Sequence, residues 1–206
     1  MNWLYRRWAR RTALAVVLIG ALVFLRGSIL AGLARAVTVT TPPTQVDLIV
    51  PLYHDPLTIP AATVDLLRRG YAGRIGLYRP RPRRLEAMGL LPHADVIWRR
   101  ILESQGVPPH AIVEIGHDIR DETGLAEAMT EFFKSQPRSR ILFVASAPRS
   151  RLAWASLRRA FERTHVGISI YAVAPAGIDE RNWWQSRDGV VTYFDAYALW
   201  LLRAVR

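Results

Sequence analysis

Five short runs rich in β-branched and other apolar residues, at 46–52, 74–78, 111–115, 140–145 and 168–173, alternate with segments whose apolar residues recur at helical spacing. That alternation points to parallel strands, because joining two parallel neighbours takes a crossover of a dozen or more residues, usually a helix. The run at 46–52 is almost continuously apolar, as a strand buried on both faces must be. Between the runs, Ile59, Ala62, Leu66 and Leu67 keep helical spacing until Gly70. Ile97, Ile101 and Leu102 mark one face of a helix over 96–104, and Leu125, Met129, Phe132 and Phe133 mark the next. Pro148 opens a helix whose Ala153, Leu157, Ala160 and Phe161 face inward. Val190, Tyr193, Phe194, Tyr197, Trp200 and Leu201 stripe a C-terminal helix. The second run, interrupted by Gly76, is the weakest of the strands. The expected fold is α/β, a doubly wound, mostly parallel five-stranded sheet of Rossmann-like form, with ligands in the crevice beyond the strand carboxyl ends.

Ahead of this domain, Arg6, Arg7, Arg10 and Arg11 directly precede an unbroken apolar run over 12–25. That run is short for a bilayer span, which needs roughly 20 residues. Continued to Ala34, with Arg26 snorkelling to the outer headgroups, it is long enough. The positive-inside rule then keeps Met1 cytoplasmic and sends the rest outward. The expected organisation is a cytoplasmic basic segment at 1–11, a transmembrane anchor at 12–34, a linker at 35–45 containing Pro42-Pro43, and an exported domain at 46–206. A cleavable signal peptide is the other reading, since Ala34-Arg35-Ala36 has the small-x-small form. The continuation through Ile29-Leu30 favours a retained anchor, and no Phe-Leu-Lys-like run follows the paired arginines to make a twin-arginine signal.

The net charge of +11 is concentrated here: residues 1–45 hold six arginines and no acid. Much of the high basicity is therefore a topology signal, and nucleic acid is not expected as a partner. The absence of cysteine excludes disulfides, zinc–thiolate sites and thiol nucleophiles. No phosphate-binding Walker loop, G-x-S-x-G elbow or G-x-G-x-x-G turn occurs, and no cofactor is expected.

The loops after the strands carry the polar residues: His54 and Asp55 after the first, Arg79, Arg81, Arg83 and Arg84 after the second, His117, Asp118, Asp121, Glu122 and Thr123 after the third. After the fourth come Ser146, Arg149, Ser150 and Arg151, at a helix start where free N–H groups and the helix dipole attract an anion. Two hydroxyls and two guanidiniums suit a phosphate or pyrophosphate. Two readings fit this loop, a phosphate site or a Ser146 helix cap beside solvated arginines. The arginine loop at 79–84 reads as solvated, as a second anion contact, or as lying on lipid phosphates. His54, Asp55, His117 and Asp118 form a weaker alternative, a divalent-metal set with nitrogen and oxygen ligands.

Val46-Asp47-Leu48-Ile49-Val50, then Leu66-Leu67-Arg68-Arg69-Gly70-Tyr71-Ala72-Gly73-Arg74-Ile75, then Glu103-Ser104-Gln105-Gly106-Val107-Pro108 before Ile112-Val113-Glu114, follow the N-terminal anchor in an order that resembles the YdcF/SanA/ElyC-like family of bacterial envelope proteins. Glu122-Thr123, Val144-Ala145-Ser146, Ser150-Arg151-Leu152-Ala153 and Trp183-Trp184 before Gly189 continue it. The chain departs from the family where its glycine-rich first turn becomes Pro51-Leu52-Tyr53-His54-Asp55 and its Ser-Gly-Gly becomes the arginine loop. The family's histidine after the fourth strand falls on Arg149, and its late Glu with a following Lys falls on Asp195 and Ala198. The resemblance implies Glu114, Thr123, Ser146, Arg151 and Trp184 as pocket residues. It also implies a role in envelope integrity, peptidoglycan or lipid-carrier metabolism at the bacterial cytoplasmic membrane. The leading expectation is a single-pass envelope factor that binds a phosphorylated small molecule or lipid carrier. A metal-assisted hydrolase and a non-catalytic scaffold for partner proteins are the alternatives. Trp183 and Trp184 read equally as loop packing, interface anchors or ligand stacking.

The arginine cluster predicts that a reporter fused after residue 206 is active only outside the cytoplasm. A fusion active in the cytoplasm alone would reverse the topology.

Overall fold

All five expected strands form, as β1 (Leu48–Pro51), β2 (Ile75–Leu77), β3 (Ile112–Glu114), β4 (Arg140–Ser146) and β5 (Gly167–Val173). The computed structural model describes residues 24–136 and 138–204. Its helices are α1, described over 24–37, then α2 (Ile59–Arg68), α3 (Arg84–Ala87), α4 (Ala94–Ser104), α5 (Glu122–Phe132), α6 (Ala147–Phe161) and α7 (Arg187–Ala204). The four-residue α3 was not legible in the sequence pattern. The strands pair in the order β3-β2-β1-β4-β5, and every pairing is parallel.

Side chains alternate across a strand with period two, and here the alternation divides the core in two. Leu48, Val50, Ile141 and Phe143 meet Leu125 and Met129 of α5 and Leu157 and Phe161 of α6. Ile49, Ile75, Leu77, Leu142 and Val144 meet Ile59 and Val64 of α2 and Trp98 and Leu102 of α4. Helices thus cover both faces, which is why β1 and β4 read as unbroken apolar runs. Gly76 is the exception inside β2 for a steric reason. A Cβ there would lie 2.4 Å from Ile115 Cδ1 and 2.8 Å from Leu48 Cδ2.

The segment expected to be a linker is docked on the sheet. Residues 35–37 finish α1, and Val39 N–H donates to Ser150 Oγ at 2.8 Å. Thr41 N–H donates to Ile170 C=O at 2.7 Å, and Ala172 N–H donates to Thr40 Oγ1 at 3.2 Å. The polar threonines satisfy the outer edge of β5, so the chain runs along the sheet as a strap instead of standing off from it. α1 is seated as well: Ala34 and Val37 are buried with Trp183 and Tyr193. Trp183 Nε1 donates to Leu30 C=O at 3.0 Å, and the Tyr197 hydroxyl donates to Leu33 C=O. Of the C-terminal stripe, only Tyr193 and Tyr197 turn toward this contact, while Val190, Phe194, Trp200 and Leu201 are exposed. Residues 1–11 and most of the expected anchor lie outside the described residues. Among those described, no helix is long and apolar enough to cross a membrane.

The joint between the Trp183–Gln185 turn and α7 depends on Gly189, where a Cβ would stand 2.1 Å from the Trp183 carbonyl oxygen. Backbone cannot yield as a side chain end can, so Gly189→Ala is expected to cost about 1–3 kcal/mol by overpacking. Urea unfolding would measure this, and an unchanged midpoint would refute it.

Candidate functional site

β1 and β4 are neighbours whose following helices leave to opposite faces of the sheet: α2 packs with one core and α6 with the other. This is the topological switch point, where an open α/β sheet leaves a crevice beyond its carboxyl edge. His54 stands in it, and three cavities meet at that residue. One of about 650 Å³ is lined by Tyr53, His54, Arg81, Arg83, Trp98 and Arg149, with Glu86 on its wall. A second, about 400 Å³, runs from His54 and Ser146 past Arg149 to Thr192 and Asp195 of α7. The third, about 250 Å³, lies between His54, Tyr78 and the Asp121-Glu122 start of α5.

The wall of the largest of these three is aromatic. The Tyr53 and Tyr78 rings stack at 4.6 Å between centroids, 2° from parallel, and Trp98 lies 4.8 Å from Tyr53 on a second contact. The Tyr53 hydroxyl donates to Tyr78 C=O at 2.9 Å and accepts from Tyr78 N–H at 3.1 Å. Burial pushes the Tyr53 pKa well above its ordinary value, so the phenol stays protonated and serves as a clamp on the end of β2. Below it, Arg79 Nε and an Arg79 terminal nitrogen both meet Asp95 Oδ2 at 2.9 Å, joining the loop after β2 to the first turn of α4. The Arg79 loop is also tied to the loop after β3, through Arg79 N–H to Gly116 C=O at 2.8 Å. Sequence reading missed this aromatic and ionic floor. Its one signal was that Tyr53 and Tyr78 both follow strands that turn out to be adjacent.

Two electrostatic features mark the crevice. Arg149 pairs with Asp195 at 2.6 Å, both half-exposed. His54 is open to solvent on one side, yet the protein crowded around it, followed by the Arg149 charge, pushes its pKa down to about 4. At neutral pH it is an uncharged imidazole, able to accept one hydrogen bond and donate another. Ser146 is buried, makes no side-chain cap to α6, and lines the second cavity, so the reading of it as a simple helix cap is not realised.

Asp55 lines the second cavity beside His54, but its carboxylate is engaged locally: Oδ1 accepts from Leu57 N–H at 2.9 Å and Oδ2 from the Thr58 hydroxyl, which turns the chain into α2. The remaining sequence candidates fall elsewhere. Ser150 is fully buried, accepting the strap's Val39 N–H and donating to Ala147 C=O at 2.7 Å. It holds the chain and cannot face a ligand. Arg151 sits in a separate groove of about 690 Å³ on the outer side of α6, with Trp154, Arg158 and Ile168. The cause is helix geometry, since successive residues turn by about 100° and Arg149, Ser150 and Arg151 face three ways. Glu114 is exposed on edge strand β3, 3.4 Å from Arg99 and 3.9 Å from His117. Thr123, exposed in the first turn of α5, lines none of the three cavities at His54. Trp184 packs edge-on against Trp183 beside Phe24, Gly27 and Ala31 of α1, away from the crevice. The proposed metal set does not assemble, because β2 lies between β1 and β3 and so separates His54-Asp55 from His117-Asp118. Among the described residues no group of three or more His, Asp or Glu could hold a metal ion.

Unfolded, His54 takes up its proton near pH 6.5; folded, only near 4. Its contribution to stability is therefore fully present above about 6.5 and is lost as pH falls through that window. Removing the nearby charge with Arg149→Ala should raise the His54 pKa while leaving it below 6.5, because crowding is the larger cause. Proton-detected imidazole titration would follow it, and an unmoved pKa would mean that Arg149 does not act on His54.

Compared with family models, with curated proteins and with solved structures, the chain matches none.

Proposed function

We propose that this chain is a membrane-anchored bacterial envelope factor whose extracytoplasmic domain holds a phosphorylated ligand, of cell-wall or lipid-carrier type, in the crevice between β1 and β4. The observation that carries this reading is the convergence of two arginine loops on one cavity. Arg81 and Arg83 come from the loop after β2, and Arg149, itself paired with Asp195, from the start of α6; Glu86 is the one carboxylate among the lining residues. The ion pairs among the described residues include neither Arg81 nor Arg83, so both charges face the cavity without a carboxylate partner. Guanidiniums bind phosphate oxygens through paired N–H groups, and an uncharged His54 adds a neutral donor or acceptor. Tyr53 and Trp98 supply an apolar wall for a ring or a prenyl segment beside the phosphate.

Two further observations support the reading. Two of the positions where the chain departs from the family it resembles, Arg149 and Asp195, stand opposite one another as an ion pair, so these two departures compensate. Retention of the anchor is supported by its seat: cleavage after Ala36 would remove Leu30, Leu33 and Ala34 from contact with Trp183 and Tyr197.

The test uses the full chain in detergent micelles with inorganic pyrophosphate as the probe. A charge-assisted hydrogen bond contributes about 1.5–3 kcal/mol, so the double substitution Arg81→Ala/Arg83→Ala should weaken binding by roughly tenfold or more. Arg158→Ala, in the outer groove of α6, should leave it unchanged. Equal affinity in the two variants would remove the crevice as the anion site.

A further inference from the structure

Apart from the run Leu199–Leu202 that closes α7 and Leu25, Ile29 and Leu33 on α1, a group of exposed apolar residues stands at one end of this domain. Leu57, between β1 and α2, is 77% exposed, and Leu90, in the arm between β2 and α4, is 64% exposed. Met88 and Leu91 are exposed on the same arm, and Val191 and Phe194 on the first half of α7. All belong to segments at the carboxyl edge of the sheet. Their segments border the crevice: Pro56, next to Leu57, lines one cavity with Arg81, Arg83 and Ile97, and Val191 lines another with His54. Between the apolar side chains lie Arg81, Arg83 and Arg84, all exposed.

The direction of α1 is fixed by the strap and by α7. Val39 hangs on Ser150 in the opening turns of α6. α7 runs alongside α6 in the same sense, since Asp195 meets Arg149 and Arg203 meets Ser156. Residues before Asp195 therefore stand beyond the carboxyl edge of the sheet. Going backward along α1, Leu30 meets Trp183 and Phe24 lies by Trp184, both ahead of α7 in the chain. α1 thus leads away past the crevice end, and Phe24, 88% exposed, is preceded by the apolar residues 12–23.

We propose that the rim around the crevice docks on an anionic phospholipid surface, seating Leu57, Met88, Leu90, Leu91, Val191 and Phe194 among the acyl boundary and Arg81, Arg83 and Arg84 among the headgroup phosphates. An apolar face edged by arginine is the composition of interfacial membrane elements. Trp184 and Arg181 beside Phe24 are placed as an interface belt places them. The crevice then opens toward the bilayer, which selects a phosphate carried by a membrane-resident molecule over one arriving from the aqueous side. The inference rests on residues 12–23 entering a bilayer, as in the function proposed above.

The chain has no cysteine, so single labels report single positions. Leu90→Cys on the rim and Ser135→Cys, between α5 and β4 at the opposite edge, would each carry a polarity-sensitive fluorophore in the full chain, reconstituted in phosphatidylglycerol–phosphatidylcholine vesicles. The expected result is co-flotation of both variants, with blue-shifted emission quenched by doxyl lipids at the Leu90 position alone. The shift should shrink in pure phosphatidylcholine. Co-flotation with equally water-exposed labels at both positions would overturn the docking and spare the anchor. Failure to co-float would overturn the anchor and the docking together.

Discussion

The hydrogen bond from Val39 N–H to Ser150 Oγ, continued by the threonine contacts along β5, decides how this protein is oriented. A five-stranded parallel sheet with helices on both faces would fold around its two cores whichever way its N-terminal chain arrived. The strap selects one arrival: α1 enters at the carboxyl edge of the sheet, next to the first turns of α6, and the chain then descends beside β5 to start β1 at the far edge. That single path puts the helix and the crevice at the same end of the domain. Trp183 and Tyr193 complete the arrangement by giving Ala34 and Val37 a dry seat. Full burial of a valine side chain contributes on the order of 1.5–3 kcal/mol, and small residues at this face let the helix approach closely.

How much of this was legible in the sequence follows from which forces leave a one-dimensional trace. Strands buried on both faces are apolar along their length, so the run at 46–52 contained β1 (Leu48–Pro51) and the run at 140–145 matched β4 to within one residue. The crevice was legible through the rule that places ligands beyond strand carboxyl ends, and His54, Ser146 and Arg149 follow from it. The rest of the site was not, because it depends on angles and partners. Arg151 looked equivalent to Arg149 until α6 turned it to the opposite side. Asp55 looked free until its carboxylate closed onto Leu57 and Thr58. Asp195 and Arg149 each stood out as a departure from the resembled family, but at 46 residues apart in sequence nothing showed that they pair. The strap was misread as a tether because threonine and proline are the residues of both.

The aromatic floor has a mechanical role that does not depend on any ligand. Tyr53 uses its one hydroxyl to bond both the N–H and the C=O of Tyr78, as a strand neighbour would. Together with the Arg79–Asp95 pair it fixes where the arginine loop begins, so Arg81 and Arg83 extend from an anchored base. A loop carrying that much like charge would otherwise spread, and a spread loop would not present two guanidiniums to one cavity. The proline at position 80 stiffens the same base.

The strap has one more consequence, and it concerns solubility. β5 is an edge strand of seven residues, long enough to invite pairing with a second chain, whereas the opposite edge, β3, has only three. Open strand edges are templates for edge-to-edge association, and natural sheets cover or shorten them. Here the cover is the stretch that follows α1. A fragment begun at Val46 to free the domain from its helix would uncover β5 and Trp183 together, trading one sticky element for two. The shortest self-contained form of this domain therefore starts within α1, ahead of Leu30, with the helix retained as part of the fold.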